Sequence, residues 1–163
     1  MFSLYMYYFA YGANLDTNYL AKYIDTENIH IVGSAYIDNY IFRYRNVNTS
    51  KIRTGVANIE PRKGSKTYGV IYYFENPALL ANIDTREGYI SNANSSNIYD
   101  KITLDCTLLD TDKKVHCCAY VMNDLVKLDE RKPRLKYLSY LRNGHMMHDL
   151  PREHLQRINY LDK

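Results

Sequence analysis

Tyr8-Phe9-Ala10-Tyr11-Gly12-Ala13-Asn14-Leu15 is the stretch on which the reading of this chain turns. An aromatic, apolar run breaks at a glycine, and apolar residues then recur at Leu15, Tyr19, Leu20, Tyr23 and Ile24, which is helical spacing, with Asp16 placed to cap. The spacing predicts a strand over residues 5–11 that turns directly into a helix. Glycine is the default residue for so tight a connection, and the first amides of a helix have no acceptor within it. Such a turn serves as a plain connection or as a cradle for an anion.

Outward from this unit, residues 29–44 are rich in β-branched and aromatic side chains and predict one long bent strand or two. Residues 55–59 and 68–74 predict further strands, with Glu60-Pro61-Arg62-Lys63-Gly64-Ser65 as a turn between them. Asn76-Pro77 carries the signature of a helix start, Gly88 that of its stop, and the polar run over residues 91–97 that of an exposed loop. Alternation over residues 98–109 and 115–122 around Asp110-Thr111-Asp112-Lys113 predicts a hairpin. Leu135, Leu138 and Leu141 mark a helix ending before Asn143-Gly144, and a last helix starts at Asp149-Leu150-Pro151 and carries Leu155, Ile158 and Leu161. Strands framed by helices, without repeat or linker, predict one α+β domain over residues 1–163, built on a small twisted or barrel-like mixed sheet with peripheral helices.

Composition narrows the function. With 18 Tyr, 4 Phe and no Trp, the interior or a pocket must be lined by rings whose hydroxyls need partners. The net charge of +3 is mild and the acids are spread along the chain, so no stripe suited to duplex nucleic acid stands out. Cys106, Cys117 and Cys118 form neither a metal knuckle nor a disulfide framework, which fits a reducing compartment and core positions. The apolar opening before Tyr11 has no preceding Lys or Arg and is read as a mature strand; no run approaches the ~20 apolar residues of a membrane span. A cytoplasmic protein without membrane partner is the expectation.

One carboxylate is a candidate for chemistry. Leu80 and Ile83 lie seven and four residues before Glu87, so Glu87 shares their inward stripe on the helix from Pro77. Burial and the negative end of the helix dipole both raise a carboxyl pKa, which suits a general base near neutrality. The plainer alternative pairs Glu87 with Arg86 or with water. His145 and His148 beside Asp149 are too few ligands for a typical zinc site, and no metal or other cofactor is expected.

These stretches resemble the gamma-glutamyl cyclotransferase family. Tyr11-Gly12-Ala13-Asn14-Leu15 is similar to its Tyr-Gly-Ser/Ala-Asn-Leu signature, Tyr68-Gly69-Val70-Ile71-Tyr72 to the strand before its helix, and Ile83-Asp84-Thr85-Arg86-Glu87-Gly88 to its Leu-Asp-x-x-Glu-Gly helix end. Tyr99 stands where a Tyr heads the family's next strand, and Pro133, Tyr137, Gly144 and Leu150-Pro151 resemble its tail, so the likeness spans nearly the whole chain. It departs at Ala13, where Ser is common, and in the long loop over residues 91–97.

The resemblance implies a cofactor-free enzyme that releases 5-oxoproline from a small gamma-glutamyl amide or peptide. By the same resemblance, Glu87 is its acid and base, Tyr11, Gly12, Ala13, Asn14 and Leu15 hold the glutamyl group, and Tyr99 and Tyr137 line the pocket. The turn amides would bind either the alpha-carboxylate or the reaction's oxyanion. Competing expectations are a non-catalytic module of the same fold, or a single-stranded nucleic-acid binder using tyrosines with the basic cluster Lys127, Arg131, Lys132, Arg134 and Lys136. The favoured reading has no nucleic-acid partner and a monomer or homodimer.

Overall fold

A computed structural model describes residues 6–48 and 54–162. In chain order it contains β1 (Tyr7–Ala10), α1 (Thr17–Leu20), β2 (Ile29–Val47), β3 (Val56–Phe74), α2 (Pro77–Arg86), β4 (Tyr99–Leu108), β5 (Lys114–Met122), β6 (Lys127–Glu130), α3 (Leu135–Met147) and α4 (Arg152–Ile158). The strands follow the order β3-β1-β5-β4-β2, and β2 pairs again with β3, so the sheet closes into a five-stranded barrel with β6 added along β2. Pairing is antiparallel except between β1 and β5, which makes the barrel mixed, as the α+β reading predicts.

Period-two alternation sorts the core. Tyr8, Ala10, Val70, Tyr72, Phe74, Cys118 and Tyr120 point to one buried cluster, which includes Leu80 and Ile83 of α2. Their strand neighbours Phe9, Tyr11, Ile71, Cys117 and Ala119 point to the other, which includes Leu138 and Leu141 of α3 and Ile158 of α4. Successive strand residues face opposite sides, so a closed sheet is apolar on both when helices cover its outside. All three cysteines are buried and free.

Several boundaries differ from expectation. The segment 60–65 is no terminal turn: β3 runs through it, with Tyr40 paired to Pro61 and Asp38 to Lys66, so the turn formers make a wide bulge opposite Asn39. Asn39 adopts φ 64° and its Oδ1 accepts the Gly64 N–H at 3.1 Å. The helix expected after Leu15 is a 3₁₀ turn, Ala13–Leu15, followed by the single turn α1, whose cap Asp16 accepts from the Asn18 and Tyr19 N–H groups as read. α3 continues through Asn143-Gly144 to Met147, and β6 (Lys127–Glu130) occupies part of the basic cluster. There Lys127 pairs with Asp124, Arg131 with Asp129 and Lys132 with Asp162. The start of the first strand at Tyr5 lies outside the described residues. No helix among the described residues is long and apolar enough to cross a membrane.

α2 begins as its sequence dictates. Asn76 Oδ1 accepts the Ala78 N–H at 3.0 Å and Pro77 occupies the first helical position, where its missing N–H costs nothing. Asn76→Ala is expected to cost about 1 kcal/mol, lowering Tm by roughly 2–4 °C in a thermal melt, because the cap atom has no substitute.

Candidate active site

Glu87 is fixed by its backbone before its side chain does anything. It caps α2, donating its N–H to Ile83 O at 2.9 Å, while its own carbonyl accepts the Tyr99 N–H at 3.3 Å. Gly88 follows at φ 68°, a left-handed angle that glycine adopts at no steric cost, and turns the chain out of the helix. The Glu87 to Tyr99 bond closes the neck of the long loop, so residues 91–97 hang outside and none of them lines the cavity beside Glu87. Within that loop Asn97 is fully buried, against the expectation for so polar a run; its side chain bonds the Ile90 N–H, Ser91 O and Asp100.

The cavity measures about 170 Å³ and brings together Glu87, Tyr11, Tyr99, Tyr137 and the Gly12-Ala13-Asn14 turn. Leu15 is the one sequence-predicted site residue placed elsewhere. Its side chain is fully buried in the core, and its carbonyl accepts from His148 Nε2 at 2.8 Å. Asn143 Nδ2 donates to Asp16 at 3.2 Å, so the end of α3 clamps the turn from behind. His145 instead meets His154, Nδ1 to Nδ1, at 2.9 Å, so the two histidines read as a possible ligand pair serve different partners.

Asn14 couples the turn to the acid. Its Nδ2 donates to Tyr8 Oη at 3.1 Å and reaches Glu87 Oε1 at 3.5 Å, while its Oδ1 accepts from Tyr23 Oη. That long contact offsets little of the cost of burying the Glu87 carboxylate, and burial pushes its pKa up to about 7 against a weaker lowering by Arg86. Arg86 is engaged by the tyrosines: it donates to Tyr19 Oη at 3.1 Å and its guanidinium lies 4.3 Å from the Tyr23 ring centre. Burial first, with the Glu87 charge adding to it, raises the Tyr8, Tyr11 and Tyr23 phenols well above their ordinary range. The cavity is therefore walled by neutral hydroxyls around a carboxyl that changes charge near neutrality.

Gly12 has φ −105°, so a positive φ is not the reason for glycine here. A Cβ on it would lie 3.1 Å from Ala57 Cβ, closer than ordinary contact, and 3.5 Å from Tyr137 Oη, so the missing methyl lets β3 lie close against the turn. Tyr137 Oη accepts the Ala57 N–H at 2.9 Å and is also acted on by the Ala13 amide, while Tyr99 Oη donates to Ala57 O at 2.7 Å. Both predicted tyrosines thus grip one residue of β3, Ala57, from its two sides, and both line the cavity.

Sequence reasoning missed Tyr8, Tyr19, Tyr23, Arg86 and Tyr120 in the lining. The spacing of Tyr19 and Tyr23, one helical turn apart beyond the Gly12 turn, was the available signal for two of them. Tyr120 reaches the cavity through barrel closure and carried no local signal.

A family model described as gamma-glutamyl cyclotransferase, AIG2-like, matches residues 8–142, well over half the chain. The chain belongs to this gamma-glutamyl cyclotransferase, AIG2-like family. A solved gamma-glutamyl cyclotransferase is similar in fold, with TM-score 0.80, 22% identity, and 94% of this chain and 86% of that chain covered. A human protein described as uncharacterised matches with the same values. A yeast gamma-glutamyl cyclotransferase specific to glutathione matches at TM-score 0.63 and 12% identity, covering 95% of this chain and 96% of that one. At such identities the gamma-glutamyl cyclotransferase structures establish the fold alone. No curated protein matches the sequence.

Proposed function

We propose that the chain is an active gamma-glutamyl cyclotransferase, in which the alpha-amine of a gamma-glutamyl group attacks its own gamma-carbonyl, forms 5-oxoproline and expels the attached amine. The observation that carries this reading is Glu87, whose carboxyl titrates near 7 while facing the Gly12-Ala13-Asn14 turn across a single cavity. At about 170 Å³ that cavity is smaller than the roughly 300–1,000 Å³ of clefts for drug-sized ligands, so it suits the glutamyl group with the leaving amine outside.

An alpha-ammonium cannot attack. Glu87 as carboxylate takes its proton, the new C–N bond closes the five-membered ring, and the old C–N bond breaks as Glu87 returns the proton to the departing nitrogen. Both protons lost by the attacking nitrogen end on the leaving amine, so the reaction needs no net acid or base. Because nucleophile and carbonyl belong to one molecule, holding the bent conformer supplies much of the rate; well-oriented intramolecular reactions reach effective molarities of about 10⁵–10⁸ M. The turn and the Asn14 amide serve the alpha-carboxylate or the tetrahedral oxyanion, both of which accept from such donors.

Incubation with a panel of gamma-glutamyl dipeptides and amines, read by mass spectrometry, is expected to release 5-oxoproline from at least one of them. A panel left intact refutes the proposal. The pH profile tests the base separately: kcat/KM should rise with pH through a limb centred near 7, since only ionised Glu87 accepts the proton. A limb near the ordinary carboxyl value of 4.5 would show that burial does not tune this group.

A further inference from the structure

A second cavity, of about 190 Å³, lies between α4 and the bulged ribbon of β2 and β3, and shares no lining residue with the first. Its walls include Ile41, Phe42, Thr67 and Tyr68, with Lys66 and Glu153 exposed at the rim. From α4, His154 and Arg157 enter it three residues apart, hence on one helix face.

Both carry a buried nitrogen without a partner among the described residues. His154 is only 4% exposed; its Nδ1 meets His145, and its Nε2 is buried with no partner among the described residues. Arg157 donates through Nε to Phe42 O at 2.8 Å and lies over the Tyr160 ring, yet its buried Nη2 has no partner among the described residues and no described carboxylate forms an ion pair with it. Buried polar groups in folded proteins are hydrogen-bonded, and a half-buried guanidinium with no carboxylate in direct contact leaves part of its charge unmatched. Of the charged residues in the lining, Lys66 and Arg157 are cationic and only Glu153 is acidic; beyond the lining, Arg43 and Arg62 act on Arg157 as positive charges and Glu130 as a negative one.

The tautomer in which His145 donates to His154 Nδ1 leaves His154 Nε2–H as a donor at the cavity. Burial and the His145 neighbour hold that ring neutral, its pKa down to about 3. A donor pair of one cation and one neutral N–H, backed by Ile41 and Phe42, matches an oxyanion attached to an apolar body.

We propose that this cavity is a binding site for a small organic anion, whose oxyanion accepts from Arg157 Nη2 and His154 Nε2 while its apolar part lies on Ile41 and Phe42. The site is independent of the cyclotransferase reading. Carboxylates and phosphates share the required chemistry. The test is an NMR titration of the whole protein with sodium butyrate and, separately, inorganic phosphate, against sodium chloride at matched ionic strength.

Saturable shifts confined to residues 41–42, 65–68 and 153–157 are expected with butyrate or phosphate, and the tighter of the two names the head group. Arg157→Gln should weaken that binding by about tenfold or more, the worth of a charge-assisted hydrogen bond. Shifts no different from chloride, or equal binding by a folded Arg157→Gln, would overturn the site. Should that variant fail to fold, Lys66→Glu decides: it reverses an exposed rim charge and is expected to weaken binding about threefold or more, and unchanged affinity would overturn the proposal.

Discussion

Glu87→Gln is expected to slow 5-oxoproline release by about 10²–10⁴-fold, the usual worth of a positioned proton carrier, while making the folded protein more stable above pH 7. Glutamine keeps the shape and still accepts from Asn14 Nδ2, so the cavity survives and the proton carrier is lost. The stability gain follows from linkage. Folded, Glu87 titrates near 7 rather than 4.5, so the folded state binds its proton more tightly. This group's contribution is fully present below pH 4.5 and lost as the pH climbs through 7. At 1.36 kcal/mol per pKa unit the full loss is at most about 3 kcal/mol, and partial solvent access brings it to roughly 1–2 kcal/mol. Melts of wild type and variant at pH 5 and pH 8 check this, the difference being much the larger at the higher value. Normal turnover would remove Glu87 from the chemistry, and equal melting at both pH values would show its carboxylate to be well solvated.

Gly144→Ala should destabilise the fold by about 2 kcal/mol, although alanine is the better helix former by about 1 kcal/mol. A Cβ there would stand 2.5 Å from Leu15 Cγ and 2.7 Å from the Leu15 carbonyl carbon. The first atom can rotate away. The second is backbone, held by the Leu15 N–H to Gly12 O bond of 3.0 Å and by His148 on the Leu15 carbonyl. Overpacking costs about 1–3 kcal/mol and occasionally more, and an immobile neighbour puts this case at the upper end. A Tm fall of roughly 4–8 °C is expected, with a raised KM because the displaced turn is also the wall of the cavity. A variant as stable as wild type would show that α3 slides freely over the turn.

The same glycine marks where the sequence misleads. Asn143-Gly144 reads as a helix stop because glycine usually serves that role, whereas here its lack of a side chain lets α3 touch Leu15, a contact between residues far apart in sequence. Glu60 to Ser65 reads as a turn for a like reason: the segment bends, but it is paired with β2 on either side of the bend, which becomes a bulge. Signals that depend on near neighbours were legible, among them Asn76-Pro77 at the head of α2, Asp16 capping α1, and the hairpin of β4 and β5. Glu87 was legible too, since its inward phase is a property of the helix before it. Asn14 as the bridge to Glu87, and Tyr120 in the wall, depend on closure of the barrel and left no trace in local spacing.

Strand β1 lies between β3 and β5, matching Ala10 to Val70 on one side and Tyr8 to Cys118 on the other. Both partners come much later in the chain, so during synthesis, at about 5–20 residues per second, β1 waits for its second neighbour. Pairings of such long sequence separation form slowly, since the entropy of closing the intervening loop is lost before any contact repays it. Gly12-Ala13-Asn14 follows directly on β1, so the nascent polypeptide has no assembled cavity beside Glu87 until the barrel shuts, and the candidate site arrives only with the finished molecule.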